Sequence, residues 1–480
     1  MSFDSVTFWL LFPCAFAAWW LLPWQAAKCV ALLFSLVFYG WWNPWYLPLI
    51  LLSSLIDWGA AQRIHASAER AVRRHWLLVS LGTNLGLLAT FKYGGFALTN
   101  ADRLARSLGG SGLDTVVPWV VPVGISFYTF QTLSYTLDVY WRRLAPARTF
   151  VDFFLYVAFY PQLVAGPIVR AKTLLPQFER APRWRPARLL HGVYLCAQGL
   201  FLKVVVADNL APEVDRLMAL ASADAPGLTP TAAWLGMLYF GCELFADFAG
   251  YSAIAIGLAA LLGLRFPVNF LYPLAARGPA EFWQRWHITL STWFRDYVYI
   301  PLGGSRGGPW RTYANLCITM VLSGFWHGAA WGMLVWGALH AAALCVERAW
   351  LGRRAPALGR PPSGLLGCAA ACGGIALTQA FVLVAWTFFR APEVEHALRI
   401  VRAMLVAPAG GAPLGLGALA DARHLVLVSP VVLMHLRRLA REWLGWRESA
   451  HERAVGAALM LFLLAVVRRD NAQDFLYFQF

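Results

Sequence analysis

The sequence predicts an all-α protein that crosses a membrane many times and forms one integrated domain over residues 1–480. Three observations carry that reading. Hydrophobic residues make up 59% of the chain and charged residues only 14%, against roughly 25% charged in a soluble domain. Apolar runs near the roughly 20 residues that cross a ~30 Å hydrocarbon core recur along the chain, which leaves no room for a soluble domain of about 100 residues. The formal net charge of +15 sits in short arginine clusters between those runs, the pattern of cytoplasmic loops rather than of a nucleic-acid-binding face.

Residues 6–22, 29–42 and 47–58 are the first three candidate spans, and the first lacks the basic start and small-residue cleavage site of a removed signal peptide. Arg63, Arg70, Arg73 and Arg74 follow in what reads as a cytoplasmic loop. Residues 76–93 then return outward to a polar stretch, 94–114. The run 116–139 contains Pro122 and Gly124, tolerated where neighbouring helices or a cavity satisfy the freed backbone groups. Residues 153–169 have basic flanks on both sides, Arg142, Arg143 and Arg148 before and Arg170 to Arg188 after, so this broken segment is expected to enter the membrane and return. Residues 189–206 lead outward to an acidic loop, 208–229. The long run 232–264 is interrupted by Glu243 and Asp247, which share a helix face; they are read either as acids paired with arginine from a neighbouring segment or as part of a reaction chamber.

Residues 279–302 carry Glu281, Arg285, His287, Arg295 and Asp296, too many charges for a lipid-facing span, and are expected to lie along or within the protein. A continuous helical run, 316–346, passes His327 and His340 before a basic loop, 348–360. Residues 365–389, 425–436 and 454–467 complete the apolar runs, and the aromatic end FLYFQF at 475–480 is expected to dock. The glycine-rich pieces at 303–308 and 410–417 read as turns, lacking the strand and helix setting of a phosphate loop. Eight cysteines are scattered; only Cys368 and Cys372 share helical spacing, and no metal site is expected.

The chemistry concentrates between residues 277 and 340. An ionisable group at membrane depth costs a few kcal/mol without partners and marks function by default. Neutral imidazole takes a proton from a hydroxyl near pH 7, the more readily when a second group orients it. In SGFWHGAAW at 323–331, small residues beside His327 open its ring to substrate. Ser323, one turn earlier, could pair with it as a nucleophile, but no oxyanion hole is visible and direct attack by an acceptor hydroxyl is the simpler chemistry. His287 reads equally as a catalytic or an orienting group, and His340 as a structural one. Ser323, Trp326, Trp283, Trp286, Arg285, Glu243, Asp247 and Asp296 are the further candidate site residues.

These residues resemble the membrane-bound O-acyltransferase family. EFWQRWH at 281–287 with RDYVYIPLGGSR at 295–306, and SGFWHGAAW at 323–331, are similar to its two histidine motifs. PVGISFYTFQ at 122–131, YPQLVAGP at 160–167, LFADFAGYS at 244–252, WTFFR at 386–390 and the FQF end resemble the bacterial branch that acetylates alginate, peptidoglycan and cellulose. The resemblance implies that His327 is the essential catalytic histidine and His287 a second active-site position. It implies roughly eleven crossing helices, with re-entrant and in-plane helices, around a central tunnel in the bacterial inner membrane, and that the further candidate residues line this substrate tunnel. It further implies an acetyl donor from the cytoplasm, acetyl-CoA as co-substrate with no tightly bound cofactor, and a periplasmic or membrane-anchored acetyltransferase partner that completes transfer to the polysaccharide. A teichoic-acid D-alanylation relative is the alternative within the family. A proton-coupled transporter or a non-catalytic assembly subunit are the alternatives outside it, though no inverted repeat favours a carrier.

Overall fold

The computed structural model describes residues 1–110, 121–223, 228–352, 361–406, 422–446, 449–467 and 475–476. Every regular element among them is helical, and four helices are long and apolar enough to cross a membrane: Pro186–Ser222, Pro230–Leu261, Trp331–Leu351 and Gly364–Arg390. With the shorter apolar helices Val6–Leu21, Trp24–Gly40 and Ala454–Val466, the chain is an all-α, multi-pass membrane protein. By its internal contacts it forms two compact units, Met1–Cys196 with Tyr251–Pro267, and Ala197–Gly250 with Val268–Phe480.

The first unit starts with α1 (Val6–Leu21), whose N-cap Ser5 accepts from the Phe8 amide, and α2 (Trp24–Gly40). Helices α3 (Leu47–Ala66) and α4 (Arg70–Leu88) follow, then a π-helical turn, Ala89–Tyr93, and α5 (Gly94–Ser107). The expected arginine loop is therefore three residues long: Arg63 ends α3 and Arg70, Arg73 and Arg74 begin α4. Arginine is a good helix former, so charge marked the helix ends and not a loop. Helix α6 (Ile125–Tyr140) starts only after Gly124, whose φ of +76° suits a residue without Cβ. It is stitched to α3 and α4 through Asp57, to which Asn84 Nδ2 donates at 2.9 Å while Thr132 Oγ1 donates to Asn84 Oδ1 at 2.9 Å.

The segment at 153–169 is broken as its sequence suggests. Helix α7 (Phe150–Ala158), capped by Thr149, stops at Phe159; α8 (Tyr160–Leu163) is a single turn, and irregular backbone leads to α9 (Ala171–Phe178). Tyr156 Oη donates to the carbonyl of Val169 at 3.2 Å, returning the chain beside its own start. Helix α10 (Pro186–Leu200) continues through a π-helical stretch, Phe201–Ala207, into α11 (Asp208–Ser222). This overturns the acidic loop at 208–229: Leu210, Val214, Leu217 and Ala221 recur at helical spacing and are buried, so the acids occupy a helix. Asp224 lies outside the described residues.

Helix α12 (Pro230–Leu261), at 32 residues, is the longest described run of unbroken α-helix. The second unit continues with α13 (Pro279–Arg285), α14 (Ile288–Phe294), a π-helical turn Arg295–Tyr299, α15 (Pro309–His327), α16 (Trp331–Leu351), α17 (Gly364–Arg390), α18 (Val394–Leu405), α19 (Ala422–Leu444) and α20 (Ala450–Val466). Two expectations change here. The single element at 279–302 is broken at His287, and the single run at 316–346 is a hairpin that turns at Gly328–Ala330. In the hairpin, a Cβ on Gly324 would come within 2.2 Å of the Met333 carbonyl oxygen, and one on Gly337 within 2.6 Å of that of Met320. Glycine at both positions lets α15 and α16 run antiparallel in backbone contact, as small residues do between membrane helices. The expected turn at 303–308 contains positive φ at Gly303, Gly304, Gly307 and Gly308; the one at 410–417 lies outside the described residues. Phe475 and Leu476, the described part of the aromatic end, are each 4% exposed.

Candidate active site

The hairpin turn places His327 as the last residue of α15, 3% exposed. Its ring lies 4.9 Å from Trp326, 5.2 Å from Trp336 and 5.3 Å from Phe389, in each case edge to face. Gly328, in extended conformation, ends the helix there. The histidine motif is thus read out by a tight hairpin: the same glycines that bring the helices together bury the imbedded imidazole at their tip.

His287 occupies the break between α13 and α14 with φ +40° and ψ +54°. A left-handed residue with a side chain costs about 1–3 kcal/mol and persists only where its surroundings over-determine it. They do so here. The Ile288 amide donates to the Asn269 carbonyl at 2.9 Å, and Leu271 N–H donates to the Arg285 carbonyl at 2.9 Å. The side-chain oxygen of Asn269 accepts from Thr289 N–H at 3.3 Å and Thr289 Oγ1 at 2.8 Å, and lies 3.1 Å from His287 Nδ1. Because Thr289 N–H can only donate, an oxygen must face it; Nδ1 therefore carries the proton, which makes Nε2 the basic nitrogen. Burial pushes the His287 imidazole down to about 3, so the ring is neutral at cellular pH. Trp326 links the two histidines, 4.9 Å from His327 and 6.3 Å from His287.

A third histidine joins them. His340 on α16 is fully buried against Trp283 at 5.1 Å, Trp336 at 4.9 Å and Phe381 at 5.2 Å. Neither of its ring nitrogens has a hydrogen-bond partner among the described residues, nor do the indole nitrogens of Trp283 and Trp336. Leaving such groups dry costs on the order of 1–3 kcal/mol each, and here they gather around Trp336, which is itself in ring contact with His327. From the sequence alone His340 reads as a structural residue. Its surroundings follow from the hairpin, since Trp336, in ring contact with His327, and His340 stand four apart on α16.

A cavity of about 300 Å³ reaches this cluster through Trp283 and Ser323, with Met320 on its wall and Arg295 and Arg348 among its lining. Ser323 and Trp283 thus line one chamber, whose walls include neither Trp326 nor any of the three histidines; Trp283 separates it from His340 at 5.1 Å. Other candidates go elsewhere. Trp286 packs with Phe270, Phe282 and Trp386 in the core. Arg285, 1% exposed, donates to Glu281 at 2.7 Å and Glu442 at 3.1 Å, and to the Leu271 carbonyl at 3.0 Å. Burial works to raise the Glu281 carboxyl, but the Arg277 amide and the Arg285 and Arg277 guanidiniums hold it below its ordinary value. This charged brace fixes α13. Asp296 pairs with its neighbour Arg295 at 2.8 Å. Asp247 pairs with Lys203 at 2.7 Å, a lysine and not the arginine expected, and Lys203 also reaches Asp208 at 2.9 Å; Glu243 lies one turn earlier on α12.

A helical membrane fold whose paired, buried histidines sit in these two motifs belongs to the membrane-bound O-acyltransferase family, whose model matches residues 144–362. The chain is 38% identical over 411 residues to a protein of Azotobacter vinelandii named "Probable alginate O-acetylase", covering 84% of this chain and 78% of that one. It is 35% identical over 406 residues to the peptidoglycan O-acetyltransferase of Helicobacter pylori, covering 79% and 73%. The teichoic acid D-alanyltransferase of Streptococcus thermophilus is 32% identical over 246 residues, 48% of this chain and 58% of that one. The protein is an O-acyltransferase, which sets aside the carrier and the non-catalytic subunit.

Proposed function

We propose that this enzyme takes an acetyl group from acetyl-CoA at the cytoplasmic face of the bacterial inner membrane and passes it outward for O-acetylation of an exopolysaccharide, alginate-type first, with His327 as general base. The observation that carries the reading is the burial of His327 at the tip of a glycine-packed hairpin, one helical turn from Ser323, which lines a cavity of about 300 Å³. An acceptor hydroxyl loses its proton to the imidazole as its oxygen bonds to the acetyl carbon; the carbon–sulfur bond breaks, and the thiolate takes the proton back. His287, locked with a basic Nε2, orients the reacting groups. Arg295 and Arg348 on the cavity lining suit a donor that carries phosphate. Acetyl is favoured over D-alanyl by the longer alignment with the acetylating relatives.

We read the whole chain as one functional unit, with about eleven crossings around a tunnel, and with a periplasmic or membrane-anchored partner that completes transfer to the polymer. The test is acetyl transfer from radiolabelled acetyl-CoA by the purified protein. His327→Ala should lower it by roughly 10²–10⁴-fold, the usual contribution of a general base, while sparing expression and donor binding. Retained transfer in folded His327→Ala protein would remove the assignment.

A further inference from the structure

We propose that Asp247 and Phe475 are positioning residues for the acyl transfer, latching the end segment of the chain so that it holds the His287 ring in place. The inference rests on the acetyl-transfer reading above and gives a function to a charged group and a docked aromatic that the reaction itself leaves unused.

The latch begins with charge. Lys203, in the π-helical stretch that interrupts the long helix at 201–207, points its ammonium at Asp247 Oδ1 at 2.7 Å and at Asp208 Oδ1 at 2.9 Å. The three side chains are each under 10% exposed. With one oxygen of Asp247 held by the lysine, the other, Oδ2, accepts the buried amide of Leu476 at 2.8 Å. A charge-assisted bond of this kind is worth roughly twice a neutral one, and it fixes backbone more than 200 residues away in sequence. The same hydrogen bond sets where Phe475 lies. Its ring is 6.0 Å from that of Phe248, the residue after Asp247, and Phe248 in turn stands perpendicular to His287 at 4.7 Å.

Three rings therefore meet edge to face in series: Phe475, Phe248, His287. The imidazole is held as well through Nδ1 by Asn269. Since His287 has a strained backbone, it keeps its place only while both supports stay. Loss of Phe475 frees Phe248 to turn and opens the ring to water, which competes with the acceptor for the acetyl group. Asp247 acts on the chemistry through Leu476, Phe475 and Phe248, without touching a reacting atom.

The test uses the full-length purified enzyme with acetyl-CoA and measures acetyl transfer and acetyl-CoA hydrolysis side by side. Phe475→Ala and Leu476→Pro, which removes the donated N–H, should each lower kcat for transfer by about tenfold or more, the scale of a misplaced catalytic group. The KM for acetyl-CoA should stay unchanged and the fraction of donor lost to hydrolysis should rise; Phe475→Tyr should restore the wild-type partition. If Phe475→Ala does not fold, Phe475→Leu, which keeps apolar volume but loses the flat ring, decides by the same partition. An unchanged ratio of transfer to hydrolysis in the folded variants would overturn the latch. Absence of transfer by the wild-type enzyme would instead overturn the reading on which it rests.

Discussion

The three histidines differ in what holds them, and that difference predicts how each responds to change. His287 is fixed by Asn269 Oδ1, and burial lowers its pKa from 6.5 to about 3. A folded pKa below the unfolded value means that the unfolded chain binds the proton first. The stability this site retains above pH 6.5 is therefore lost progressively as pH falls toward 3. Thermal unfolding of wild type and His287→Phe between pH 7 and 4 should show a steeper acid loss in the wild type; parallel curves would mean that the ring is already solvated. For the same reason no acid limb of transfer between pH 5 and 8 belongs to His287, so His287→Ala should lower kcat without moving the limb's midpoint. His340 makes a separate prediction. If its unpartnered nitrogens serve a polar ligand, His340→Phe should raise the KM for donor or acceptor while the fold, already lined by Trp283, Trp336 and Phe381, stays intact. Unchanged kinetics would make it a packing residue.

At the scale of elements, what could be read in advance was apolar length and residue chemistry; what could not was where helices stop without proline. Glycine at 324 and 337 gave no hint of a hairpin, because small residues also occur in uninterrupted membrane helices. The break at His287 carries no Gly or Pro at all and is set by Asn269, 18 residues earlier. Conversely, the apolar spacing of Leu210, Val214, Leu217 and Ala221 was legible, but four acids in the same stretch drew the reading toward a loop. The two motif histidines stand out in the sequence because their neighbours are distinctive; the surroundings of His340 depend on the hairpin. The hairpin is testable. Gly324→Ala places a methyl 2.2 Å from the Met333 carbonyl oxygen and should cost about 1–3 kcal/mol through overpacking, with loss of transfer as His327 shifts. Gly373→Ala on α17, where a Cβ meets nothing within 4 Å, should leave both stability and transfer intact. Equal behaviour of the two would argue against a close α15–α16 contact.

The whole molecule must satisfy charge as well as packing, since each ion in the hydrocarbon layer needs a partner. Arg285 meets that need with Glu281 and Glu442, and Lys203 with Asp208 and Asp247, while the arginines at 170–188 and 63–74 stay largely at helix ends. That division sets the orientation. By the positive-inside tendency of arginine clusters, the stretch around Arg180 is expected on the cytoplasmic side. The helical stretch Pro186–Ser222, which runs through the π-helical segment at 201–207, is 37 residues long and extends about 55 Å at 1.5 Å per residue, well beyond a ~30 Å core. That placement predicts that the helix delivers its far end, with Asp215 and Arg216, to the opposite face. Single cysteines at Arg180 and Arg216, both exposed, introduced into a variant whose eight native cysteines are replaced, should label from opposite sides: Arg216→Cys with an impermeant maleimide on intact spheroplasts, Arg180→Cys only after the membrane is opened. Labelling of both from one side would mean that this helix lies along the membrane, and the outward path of the acetyl group would have to begin elsewhere.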